Sequence, residues 1–254
     1  NLVDELVKEN DILSKALFLL ETNTKIQALL RMSNVMAVSR MLYNDHGPVH
    51  SRIVSGSALY IHKLLEGKVD FSSIKDTGLT LLDSKLITLF GAYLHDIGNA
   101  IHRVYHEYIG ALLAKDILNR ILPDILGFTG KRMIAIRQEI LHIIFATEYH
   151  TECLTMECSA VKIADGLDMS EGRARIPYKL GKMDMHAVSA LSIKRVEIES
   201  GEKPIKIVVH MDDMAGLFQL EEVLMPKIRT STIENELEIY ITTPSKVVKF
   251  YPKE

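Results

Sequence analysis

Apolar residues recur at spacings of three and four through the first two thirds of the chain, in residues 12–20, 26–42, 53–65, 82–94, 106–121, 133–145 and 158–167. That period puts one apolar stripe on each segment, so the pattern predicts a series of amphipathic helices packed together. Breakers fall between the segments: Gly47–Pro48, Gly67, Gly98, Pro123, Gly127, Gly130 and Gly166. In GLTLLDSKL, Asp83 or Ser84 is the expected N-cap of the helix that follows.

Beyond Pro177 the period changes from three and four to two. AVSALSIKRVEIES and KPIKIVVHMD alternate apolar and polar positions and read as strands, with Gly201–Glu202 as the hairpin turn between them. A short helical stretch at residues 216–224 follows, and ELEIYITT returns to strand alternation. The expected architecture is mainly α, with a helical domain over residues 1–180 and a small C-terminal α+β (β-β-α-β) domain over residues 184–254.

Composition narrows the class without naming a task. With 254 residues, 47% of them hydrophobic and 25% charged, the chain can bury a full-sized core. A net charge of −3 and the lack of a basic-aromatic stripe argue against nucleic acid as the partner. The longest apolar run, residues 86–94, is far below the roughly 20 residues a helix needs to span a bilayer. Cys153 and Cys158 have neither metal-site spacing nor the density of a disulfide scaffold, so reduced thiols and a cytoplasmic location are expected.

Chemistry concentrates in the helical part, where seven of the ten histidines fall between residues 46 and 142. In NDHGPVHSRIV, Pro48 suits the first turn of a helix, which puts His46 before it and His50 inside that turn. In GAYLHDIGNA, His95 and Asp96 end a buried helix and Gly98 frees the backbone to turn away. His102 and His106 stand four residues apart on one helical face. His142 sits in an otherwise apolar helix, where an unpaired imidazole is costly to bury. Asp165 follows Val161, Ile163 and Ala164, and a carboxylate in such a place needs a cation, a metal or several donors. Any one of these fits an ordinary structural role; together, on helices of one domain, they point to a metal site.

The order His50, His95–Asp96, Asp165 resembles the HD-domain superfamily of metal-dependent phosphohydrolases, whose signature is a distant His, a His-Asp pair and a later Asp on a helical bundle. HDIGN is similar to that family's HDIG element, HSRIV to its first-His helix and ADGLDMSEGR to its final-Asp helix, and the resemblance spans about residues 40–178. It implies an HD-type bundle in which His50, His95, Asp96 and Asp165 ligate a first metal. Asp96 and His95 would then be the catalytic pair. His106 and His142 would supply a second ion, with Asp96 bridging and His102 competing with His106. His46 is left as a ligand, a substrate contact or a partner to a ligand.

The resemblance further implies hydrolysis of a phosphate ester or anhydride, most simply in a nucleotide, by metal-activated water. Imidazole and carboxylate without thiolate suit one or two divalent ions of Mn, Mg, Fe, Co or Ni. Arg173, Arg175, Arg52 and Lys179, with His46 and His102, are the candidate contacts to a small phosphorylated substrate. The alternative is a regulatory protein that binds metal and nucleotide without turnover. The C-terminal strands KIVVHM and ELEIYIT are apolar enough to need cover, and a homodimer through that unit is expected.

Overall fold

The computed structural model describes residues 2–170 and 185–252. α1 (Leu2–Val7), α2 (Asp11–Thr22) and α3 (Thr24–Asn34) open the chain. The Asn10 side chain accepts from the backbone N–H groups of Ile12 and Leu13, and Asn23 accepts from that of Ile26. Each bond satisfies a donor that has no partner inside its helix. α3 runs on into a π-helical turn, Val35–Arg40. α4 (Pro48–Leu65) starts on the expected proline, and α5 (Ser72–Thr77) stops at Gly78, whose φ of +68° is left-handed.

α6 (Leu81–Leu94) is the centre of the bundle. Its cap is Thr80 rather than Asp83 or Ser84: Thr80 accepts from the Asp83 N–H while the Asp83 carboxylate accepts from the Thr80 N–H. Leu86, Ile87, Leu89, Phe90, Tyr93 and Leu94 are all buried, so α6 is apolar on every side, with α4, α8 (Lys131–Ala146) and α9 (Met156–Leu167) packed around it. Gly91 permits the α8 contact, because a Cβ there would come within 2.6 Å of the Ile143 side chain. α7 (His106–Leu126) pairs with α8.

The C-terminal unit departs from the expected pattern at both ends. Residues read as the first strand are partly helical: α10 (Met185–Ser192) precedes β1 (Ile193–Glu199). β2 (Ile205–Met211) pairs antiparallel with β1, with Val209 opposite Val196. A helical crossover (Met214–Gly216, Leu217–Gln219, a π-helical Leu220–Leu224, then α11, Met225–Arg229) brings β3 (Leu237–Thr242) parallel to β2. A fourth strand, β4 (Val247–Tyr251), pairs antiparallel with β3, so the unit is β-β-α-β-β in the order β1-β2-β3-β4. Its buried Ile193, Met211, Leu224 and Ile228 belong to the same apolar cluster as the helical bundle.

Candidate metal centre

Four segments deliver the polar side chains to one place. The turn into α4 brings His46 and His50, the end of α6 brings His95 and Asp96, the start of α7 brings His106, and the end of α9 brings Asp165. His46, His50, His95, Asp96 and His106 are all buried, and the Asp165 side chain is 16% exposed. His50 Nε2 lies 3.2 Å from His95 Nε2. Asp165 Oδ1 is 3.1 Å from the first nitrogen and 3.5 Å from the second, and Asp96 Oδ2 is 3.3 Å from each. His46 Nδ1 is 2.6 Å from the same Asp96 oxygen, and His106 Nε2 is 3.4 Å from Asp96 Oδ1.

The far side of each ring fixes its direction. His50 Nδ1–H donates to Asp168 Oδ2 (2.6 Å) and His95 Nδ1–H to the Ala92 carbonyl (2.8 Å), so both Nε2 atoms turn inward. The Asn99 amide donates to Asp96 Oδ1 at 2.9 Å, and the Ser33 hydroxyl donates to the Asp96 backbone carbonyl at 3.1 Å. Gly98 lets α7 close on this turn, since a Cβ there would overlap the His106 carbonyl oxygen.

This donor set fits a divalent cation. Two imidazole nitrogens 3.2 Å apart, each with two carboxylate oxygens 3.1–3.5 Å away, repel one another unless positive charge lies among them. Protons supply that charge in the metal-free protein. Burial opposes a charge on His95, but the Asp96 and Asp165 carboxylates outweigh it and raise the imidazole to about 9. Burial likewise opposes ionisation of Asp96, yet His95 and His46 hold it well below the usual carboxylate range; for Asp165, Lys227 and His95 do the same. His46, His50 and Asp96 form one group able to hold an ion, and His50, His95 and Asp165 an overlapping second group. The set has no thiolate, as expected for a first-row ion or magnesium rather than a structural zinc.

Other expected site residues lie elsewhere. His142 accepts the Leu154 N–H at Nε2 (3.0 Å), so its ring faces the loop before α9 and not the cluster. His102 is exposed and accepts the Val104 N–H at Nδ1 (2.9 Å), which makes it a turn residue. Arg52 pairs with Asp4 (2.7 Å) and with Glu21; two positions beyond His50, it is turned about 200° round α4, toward α1 and α2. Arg173, Arg175 and Lys179 lie outside the described residues. Of the two competing imidazoles, His106 is the one beside Asp96.

Four contributors were not singled out by sequence: Asp168, Asn99, Arg103 and Lys227. Asp168 and Asn99 each stand three positions after a ligand, a spacing that shares a helical face and could have flagged them. Arg103 donates to His106 Nε2 at 3.0 Å. Lys227, on α11, donates to Asp165 Oδ2 at 2.7 Å. A cavity of about 250 Å³ opens beside the cluster, walled by Tyr43, Asn44, Arg103, Glu107, Tyr149 and Gln219. The cysteines also differ from expectation: Cys153, whose N–H is tied to the Thr230 carbonyl, and Cys158, in the first turn of α9, stand 5.6 Å apart at Cα and are disulfide-bonded.

A buried His, His-Asp, Asp cluster gathered by the helices of one bundle is a group able to hold a metal ion, in the order the HD signature has. The model of the HD domain family matches residues 34–170, more than half of the chain, and the chain belongs to that family. Membership places it in the superfamily of metal-dependent phosphohydrolases, whose domains bind divalent metals. A relative from Methanocaldococcus jannaschii, the uncharacterized protein MJ1020, is 44% identical over 220 residues, covering 86% of this chain and 84% of its own length. No solved structure matches the chain.

Proposed function

We propose that this protein hydrolyses a phosphate ester or anhydride in a small substrate, most simply a nucleotide. The observation that carries the reading is a full set of inward-facing imidazole and carboxylate ligands at the wall of a cavity with Arg103 on its rim. His50, His95, Asp96 and Asp165 would hold the first ion, with His46 against the Asp96 oxygen that faces the two imidazoles. A divalent ion bound there supplies acidity to water near neutral pH and neutralises charge on a phosphoryl group. Asp96 stays ionised because its imidazole neighbours hold its proton affinity down, which suits a metal ligand. The Arg103 guanidinium, beside His106, offers charge-assisted donors to phosphate oxygens. A cavity of about 250 Å³ suits a phosphate and its sugar better than a strand of nucleic acid.

The test pairs metal content with phosphate release from a panel of nucleoside mono-, di- and triphosphates, in wild type and Asp96→Asn. Wild type should retain divalent ion and release phosphate from at least one member; the variant should lose turnover by at least about a thousandfold. Metal without turnover on any member would favour the regulatory alternative.

A further inference from the structure

We infer that Lys227, from the C-terminal unit, is a positioning residue of the metal centre: it holds Asp165 so that one carboxylate oxygen faces the ion-binding imidazoles. The inference rests on the metal-centre reading above. Lys227 lies outside the segment matched by the HD family model and 62 residues from Asp165 in sequence, yet its side chain is only 4% exposed and meets that carboxylate.

The geometry divides the Asp165 carboxylate cleanly. Oδ2 accepts from Lys227 Nζ at 2.7 Å, while Oδ1 stands 3.1 Å from His50 Nε2 and 3.5 Å from His95 Nε2. An ammonium group has three donors, and two of them are given to protein oxygens here. The second goes to the Thr147 carbonyl at 3.3 Å, and the Tyr149 ring lies beside the ammonium with its centroid 4.6 Å from Nζ. The contact to Asp165 is the shortest of the three. Its action on the site runs through Asp165.

The surrounding backbone is shaped for this approach. Gly166 follows Asp165 on α9, and a Cβ there would come within 3.0 Å of Leu224 Cδ1 and 3.1 Å of Lys227 Cδ. With only hydrogen at that position, α11 lies close enough for the lysine to reach across. A buried ammonium without a carboxylate is strongly unfavourable, so Lys227 and Asp165 require each other and the C-terminal unit is tied to the ligand set.

Cobalt(II) is the probe, because its visible absorption reports the ligands around it. Wild type, Lys227→Met and Lys227→Arg are titrated with cobalt, and the thermal stability of each metal-free protein is recorded beside the titration. Lys227→Met should bind cobalt about 10–100-fold more weakly than wild type, the usual effect of removing a partner that orients a ligand. Its absorption band should shift, and Lys227→Arg should recover part of both. A folded Lys227→Met with wild-type affinity and spectrum would overturn the role. Should Lys227→Met not fold, wild type alone decides: cobalt should slow amide hydrogen exchange in residues 217–229, and unchanged exchange there overturns the coupling. A wild type that takes up no cobalt would instead overturn the metal-centre reading itself.

Discussion

An imidazole becomes a ligand when one nitrogen is held by the protein and the other is left facing the ion, and the histidines of this chain divide on that point. His50 and His95 give Nδ1–H to Asp168 and to the Ala92 carbonyl and present Nε2 to each other. His142 does the reverse: its Nε2 is taken by the Leu154 N–H, and its neighbours include Lys162 rather than a carboxylate of the site. Burial holds His142 below the usual imidazole range, as suits a neutral hydrogen-bond acceptor. His46, by contrast, lies 2.6 Å from Asp96. His46→Ala should therefore weaken manganese binding about tenfold or more, while His142→Ala should leave it within about twofold of wild type. Competition against a chelating dye measures both; equal losses in the two variants, or the larger loss in His142→Ala, would sink the division.

At the scale of elements, the turn between α6 and α7 decides whether the ligands meet. Gly98 there is covered by the carbonyl of His106 and, at 2.6 Å from a would-be Cβ, by the Gly110 N–H. Neither is a flexible side chain, so a methyl group has to push α7 away. Gly98→Ala should destabilise the metal-free protein by about 1–3 kcal/mol or more, which lowers Tm by roughly 2–12 °C. It should also weaken manganese binding by disturbing the turn that holds His95 and Asp96. A calorimetric Tm and affinity equal to wild type would show that α7 packs more loosely than the backbone contacts imply. The glycine was legible in sequence as a breaker after His95–Asp96, and so were Pro48 and the apolar run of α6, because capping and period are local properties. α10 was not: it runs straight into β1 at Ile193, and its Ser189 and Ser192 hydroxyls donate to the carbonyls of Met185 and Val188, four residues back, contacts that belong to the folded helix and leave no mark in the sequence. β4 was missed because Val247 and Val248 sit on an exposed edge, where no buried face imposes an apolar period.

At the scale of the molecule, the ligands of the helical bundle could be read in order along the chain, but their ties to the C-terminal unit could not. Nothing near Lys227 in sequence marks it; KIRTS reads as a small basic segment, and its meaning comes from α11 packing on α9. His50, His95–Asp96 and Asp165 come from three helices that surround one core, and Lys227 adds a fourth element. An unfolded chain cannot gather such donors, so an ion that binds them binds the folded state alone. At a free ion concentration a hundredfold above Kd, that preference stabilises by about 2.7 kcal/mol, worth roughly 5–11 °C in Tm for a chain of this size. Manganese should raise the Tm of wild type by that order, and a chelator should take it back. Asp165→Asn removes a ligand charge and leaves Lys227 without its carboxylate, so its Tm should fall and should no longer respond to manganese. A wild-type Tm indifferent to both manganese and chelator would mean that the cluster is held by protons and hydrogen bonds alone. An undiminished rise in Asp165→Asn would mean that the stabilising ion sits elsewhere.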